Sequence, residues 1–135
     1  MTAVAASWPL QVAVFEALRA AVQPVLVYDG VPQGAAFPYV VVGDDSSVEW
    51  PVALDADGED IDVTIHVWSR YAGGKEVKEL MGKVRAALHN RALPLGAGLS
   101  LVSFRCMAER AFTEPDVKTR HGVIRFRALI AGEPD

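Results

Sequence analysis

The sequence is poor in cysteine and in long apolar runs. Cys106 is the only cysteine among 135 residues, which excludes an internal disulfide and a four-cysteine zinc site and predicts a reducing compartment. No apolar stretch approaches the roughly 20 residues that cross a bilayer, and the first residues lack the basic region and the apolar run of a secretory signal. We therefore expect a soluble protein that is made in the cytoplasm and contacts no membrane.

What the chain does contain is the composition of a folded protein. Apolar residues make up 51% of the sequence and charged residues 22%, whereas disordered chains combine low hydrophobicity with high charge. A chain of this length hides roughly two thirds of its unfolded surface. We expect one domain over residues 1–135.

Charge is divided unevenly along the chain. Residues 1–62 hold ten acidic side chains and a single base, Arg19, whereas residues 63–135 hold seven acids and twelve bases. A solvated acidic face is one explanation. Another is a head-to-tail contact between copies, which needs two different, complementary patches, and a third is that the fold interleaves the two signs on one surface. The candidate interface residues are Asp44, Asp45, Glu49, Trp50, Asp55, Asp57, Asp60, Asp62, Arg105, Arg110, Arg120, Arg125 and Arg127.

The basic C-terminal third could contact phosphate. The acidic total, a formal net charge of -4, argues against nonspecific nucleic-acid binding. We expect no direct sequence-specific binding of nucleic acid.

Hydrophobic periodicity predicts an α+β domain, with two helices packed on one face of a mainly antiparallel sheet. Segment 44–58 alternates apolar and polar residues and is predicted to form a long hairpin arm. Segment 108–120 is polar, charged and interrupted by Pro115, and is predicted to be a long loop. The predicted helices cover 7–23 and about 75–89, and the remaining predicted strands cover 25–28, 39–42, 60–68, 99–107 and 121–130.

Few residues suggest chemistry. Asp60, Asp62 and His66 share one strand face, but Asp62 and His66 lie roughly 13 Å apart along a strand, so a shared metal ion or an acid–base pair is poorly supported. Cys106 could pair with His66 or His121 as nucleophile and base, yet its strand position predicts a buried, inert thiol. The glycines match no phosphate loop or dinucleotide motif. We expect no catalytic residue, no metal and no cofactor.

Four sequence segments resemble the phage tail terminators, a family of small tail-completion proteins also found in phage-like gene transfer agents. The segments are Val27-Tyr28-Asp29-Gly30-Val31-Pro32, Phe37-Pro38-Tyr39-Val40, Ile65-His66-Val67-Trp68-Ser69-Arg70 with Gly73 after it, and Arg125-Phe126-Arg127. The resemblance implies a structural virion protein at the head–tail junction. It implies a hexameric ring that caps the head-proximal end of the tail tube, stops tube polymerisation and joins the head-side connector or stopper protein. Its motifs carry no catalytic residue.

Two alternatives stay open. One is another neck or connector protein of the same particle. The other is a small α+β enzyme or ligand-binding domain that uses the acidic segment and His66, which would require a concave pocket with convergent polar groups.

Overall fold

The computed structural model describes residues 5–51 and 57–132. Two helices and five strands follow one another in these residues. The helices are α1 (Ser7–Val22) and α2 (Lys75–Leu88), and the strands are β1 (Leu26–Tyr28), β2 (Tyr39–Glu49), β3 (Gly58–Ser69), β4 (Leu99–Thr113) and β5 (Arg120–Gly132).

All five strands form one sheet in the order β1-β2-β3-β5-β4. The β1–β2 pairing is parallel and the other three are antiparallel. Helix α1 packs on β1 and β2, and α2 packs on β3, β5 and β4. Both helices cover the same face, which we call the covered face, and the other face is the open face. The predicted α+β class is confirmed.

The core lies between the helices and the covered face. Along β3 the side chains of Ile61, Val63, Ile65 and Val67 are buried because alternate residues of a strand point to the same side. The helices contribute apolar residues at three- and four-residue spacing. These are Leu10, Val14, Leu18 and Val22 on α1, and Val77, Leu80, Met81, Val84 and Leu88 on α2.

The start of α1 is bonded by a side chain from another element of the fold. Ser7 is the first helical residue, and Ala6 precedes it without a side-chain cap. The N–H of the N-cap residue Ala6 donates to the Glu59 carboxylate at 3.0 Å, so an acidic group from β3 lies at the positive end of the helix dipole. The Ser7 hydroxyl donates instead to Asp45.

The prediction of a long loop over 108–120 is wrong. Strand β4 continues to Thr113, and a short turn over 114–119 leads directly into β5. β4 is an edge strand, and because its second half is mostly exposed it needs no apolar face there. A bulge between Cys106 and Ala108 also breaks the alternation of apolar and polar residues by which strands are identified. Pro115 belongs to the turn.

A second bulge changes which β4 side chains face the core. It lies between Leu101 and Ser103, and it leaves Val102 56% exposed although Val102 is two residues from the buried Phe104. Leu99 and Leu101 pack against the core in its place, because the extra residue of a bulge shifts the two-residue period by one.

The predicted arm is part of the sheet over the residues that the structure describes. β2 and β3 form an antiparallel hairpin in which Glu49 lies opposite Glu59. β3 is also paired with β5 from Gly58 to Ser69, so only the outer edge of β2 is left without a neighbouring strand. Residues 52–56 lie outside the described residues.

Candidate functional site

The open face brings acidic and basic candidate residues together within one chain. Asp62 of β3 lies opposite Arg127 of β5, and Arg127 donates from Nη2 to the Asp60 carboxylate at 2.6 Å and from Nε at 3.0 Å. This bond to Arg127 lowers the pKa of Asp60. Acidic and basic side chains therefore lie side by side on the open face, because β3 contains the last residues of the acidic half of the sequence and its neighbour β5 lies in the basic half.

Two other arginines of the open face have like-charged neighbours. Arg105 of β4 is directly opposite Arg127, and Arg125 lies two residues from Arg127 on the same side of β5. Arg125 and Arg127 line a shallow hollow with Asp60, Asp62, Val48 and Met107. Arg105 flanks this hollow on the β4 side. The three arginines outnumber the two aspartates, so the cluster has a positive excess, and like charges placed opposite each other are unfavourable.

The remaining acidic candidates follow the outer edge of β2. Asp44, Asp45 and Glu49 are exposed there. Trp50 is half-buried, because its ring lies over Gly58. The backbone N–H of Trp50 donates to the Gly58 carbonyl at 2.9 Å. Asp57 follows at the other side of the hairpin, where its carbonyl accepts from the Gly132 N–H at 3.0 Å.

Of the candidate residues, Asp55 lies outside the described part of the chain. Arg110 lies on the edge strand β4, and Arg120 begins the inner strand β5. The Arg110 guanidinium lies 4.7 Å from the centre of the Phe112 ring. Arg120 Nη1 donates to the Thr113 hydroxyl at 2.8 Å, and its buried Nε has no hydrogen-bond partner among the residues the structure describes.

At one end of the open face lies a hydrogen-bonded histidine pair that the sequence did not reveal. His66 Nδ1 is 2.7 Å from His121 Nε2, and His121 Nδ1 is 2.8 Å from the Glu114 carboxylate. The Trp68 ring stacks on His121 with centroids 3.7 Å apart. Burial lowers the pKa of His66, His121 lowers it further, and Asp44 opposes both. The sequence of neither strand shows which β5 residue lies beside which β3 residue, so the contact of His66 with His121 could not be predicted.

The thiol and histidine combinations considered from sequence are not assembled. Cys106 packs against the core on the covered face, whereas His66 and His121 stack on the open face. The backbone N–H of Cys106 donates to His89 Nδ1 at 3.0 Å, and burial raises the pKa of the Cys106 thiol. Within residues 5–51 and 57–132, no three His, Cys, Asp or Glu side chains gather as metal ligands would.

The β4–β5 turn is held rigidly. The Asp116 carboxylate accepts from the N–H groups of Lys118 and Thr119 and from the Thr119 hydroxyl, at 2.6–2.9 Å, and these bonds lower the pKa of Asp116 to about 2. Val117 has a φ of 65° and is 77% exposed. A β-branched residue in the left-handed region is unusual, so an apolar side chain is displayed at a strained tip.

The two helices differ in the surface they expose. The outer side of α2 carries Lys75, Lys78, Glu79 and Lys83. α1 has only Glu16 and Arg19 as charges and exposes Trp8 by 66% and Val12 by 42%. No helix in the described residues is both long enough and apolar enough to cross a membrane.

The described residues thus present an open sheet face, a charged sheet edge and an exposed turn. Comparison with known proteins shows the family. Residues 12–131 match the model of the family described as tail completion protein gp17, and the chain belongs to that family. It is 31% identical over 94 residues to the tail completion protein gp17 of Bacillus phage SPP1, a match covering 70% of this chain and 68% of that protein.

A solved structure shares the fold. One protein chain from the virion of a native gene transfer agent particle superposes with a TM-score of 0.83 and 27% sequence identity, over 96% of this chain and 100% of that chain. The family match agrees with the sequence resemblance, because it shows that the chain is a tail-completion protein, and the structural neighbour is part of a gene transfer agent virion. The family is one of structural tail-completion proteins.

Proposed function

We propose that this chain is a tail terminator, which assembles into a hexameric ring on the head-proximal end of the tail tube. The ring stops further tube polymerisation and provides the surface that the head-side connector or stopper protein joins. Its partners are copies of itself, the tail tube protein and the connector. The hexameric state follows from the resemblance to tail terminators.

The observation that carries the proposal is family membership across residues 12–131, combined with surfaces suited to repeated contact. A ring of identical subunits needs two different patches that meet head to tail. The acidic β2 edge and the arginine-rich β4–β5 side lie on opposite sides of the sheet. The displayed Val117 turn and the apolar outer side of α1 offer further contacts outside the sheet plane.

A tube-growth assay tests this function. The purified chain is added to polymerising tail tube subunits, and tube lengths are measured by electron microscopy against a buffer control. We expect tubes to stop growing and to carry a ring at one end. Unchanged tube lengths, together with binding to the connector alone, would instead assign the chain to another layer of the neck.

A further inference from the structure

Besides the outer side of the three-residue strand β1, two longer stretches of strand edge are left without a backbone partner in the described residues. β1 pairs only with Tyr39–Val41 of β2, so the outer side of β2 is open over residues 43–49. On the other side of the sheet, a loop covers part of β4: the Asn90 N–H donates to the Phe104 carbonyl at 2.7 Å, and the Cys106 N–H donates to His89. Residues 107–113 of β4 lie beyond that cover.

The hydrogen bonds show which β2 groups point outward. The Trp50 N–H donates to the Gly58 carbonyl, so Trp50 faces β3, as do residues 46 and 48, because backbone groups alternate sides along a strand. The N–H and C=O groups of Asp45, Ser47 and Glu49 therefore point away from the sheet.

The same reasoning applies to β4. The Cys106 N–H points outward to His89, and the bulge after Cys106 adds one residue. The outward groups beyond it are therefore those of Glu109, Ala111 and Thr113. Each free stretch thus spans seven residues and presents three outward residues.

The two free stretches carry opposite charge. The β2 stretch holds Asp44, Asp45 and Glu49 and no base. A groove beside the β4 stretch is lined by three bases and one acid, namely Lys78, Arg85, Arg110 and Glu109, and the Arg85–Glu109 pair at 3.1 Å neutralises itself. Apolar groups accompany both stretches, with Val48 and Trp8 exposed near β2 and Met107 exposed on β4.

We propose that the free β2 stretch of one copy pairs, strand to strand, with the free β4 stretch of the next copy, so that the sheet continues from subunit to subunit. Charges on an edge strand ordinarily deter pairing. Here they deter only the pairing of two like edges, acidic with acidic or basic with basic, and favour the unlike pair. The contact is therefore heterologous, as a ring requires. This inference rests on the proposed ring and names its contact.

Charge reversal on each edge tests the pairing. The first variant, Lys78→Glu with Arg110→Glu, has two acidic edges, and the second, Asp44→Lys with Glu49→Lys, has two basic edges. Asp45 and Arg85 are kept because they hold internal bonds. We expect each variant alone to need at least about tenfold more protein for half-assembly in sedimentation velocity.

A mixture of the two variants is the sharper test. In an equimolar mixture every contact can again join an acidic edge to a basic one, so we expect assembly to return to within about threefold of wild type. The matched controls carry the same charge changes on exposed sites away from both edges. They are Lys75→Glu with Lys83→Glu, and Glu16→Lys with Glu79→Lys, and we expect both to assemble as wild type does.

Amide hydrogen exchange, read residue by residue, reports the backbone bonds themselves. Assembly of the wild type should slow exchange at Asp45, Ser47 and Glu49 and at Glu109, Ala111 and Thr113, which have no partner strand in one copy. Arg110 and Phe112 face β5 and should change little.

The outcomes separate this contact from the proposed function. Edge variants that assemble normally, a mixture that stays dissociated, or wild-type rings with fast exchange at these six amides would each overturn the edge pairing, even if the rings stop tube growth. Rings with protected edges that leave tube lengths unchanged would support the pairing and refute the terminator function.

Discussion

Gly58 begins β3 at the turn end of the β2–β3 hairpin, and we expect its replacement by alanine to destabilise the fold. A Cβ at this position would lie 2.5 Å from the Ile130 carbonyl oxygen, 2.8 Å from the Trp50 carbonyl oxygen and 2.9 Å from Cε3 of the Trp50 ring. Two of these atoms are backbone and cannot turn away as a side chain can. Since real Cβ contacts stay beyond 3.0 Å, strand β5 or β2 must move by about half an ångström.

Overpacking of this kind costs about 1–3 kcal/mol. For a domain of this size, 1 kcal/mol corresponds to roughly 3–5 °C in Tm, so Gly58→Ala should lower the Tm by roughly 3–15 °C in a circular dichroism melt. Gly30→Ala is the matched control, because nothing lies within 4 Å of its Cβ position, and it should leave the Tm equal or slightly higher. Equal melting temperatures for the two variants would refute the close approach of the three strands at Gly58.

Three further predictions concern single groups. Asp60→Asn removes the carboxylate that Arg127 binds. Because the pKa of Asp60 is lowered in the fold, wild type should have a higher Tm than the variant at pH 7, and this difference in Tm should vanish as the pH falls below about 4. The control Asp62→Asn should show a smaller difference in Tm at pH 7. Cys106→Ser combined with His66→Gln should leave particle yield within about threefold of wild type, since the family is structural and neither group is placed for chemistry; a collapse of yield with an intact fold would reopen an enzymatic role. Val117→Asn should raise the Tm by a few degrees, because asparagine tolerates the left-handed region that costs valine about 1 kcal/mol, and an unchanged or lower Tm would contradict the strained turn.

The sequence was most informative where one side of an element is buried. The core stripe of α2 and the alternation of β3 are visible in the residues themselves, because a buried face restricts side chains to apolar types. β4 lacks that restriction beyond Cys106. Its exposed second half and the bulge after Cys106 remove the two-residue period there, and residues 108–113 are therefore predicted as part of a loop.

The surfaces were less predictable than the elements, because they depend on which strands become neighbours. Asp60 and Arg127 are 67 residues apart in sequence and hydrogen-bonded in the fold. The contrast between an acidic half and a basic half of the chain is thus partly cancelled within the sheet. It persists between the acidic end of β2 and the basic side of β4, and only the strand order shows that these lie on opposite sides of the sheet.

The short β1 strand limits where a neighbouring subunit could bind. It occupies the β2 edge up to Val41, and the hairpin returns to β3 just past Trp50, whose N–H bonds to Gly58. In the proposed ring, a strand added from outside would therefore meet β1 as a stop at one end of the free stretch. Because a slip of one residue would turn its outward groups away and reverse its faces, that stop would help to fix the alignment of each added subunit.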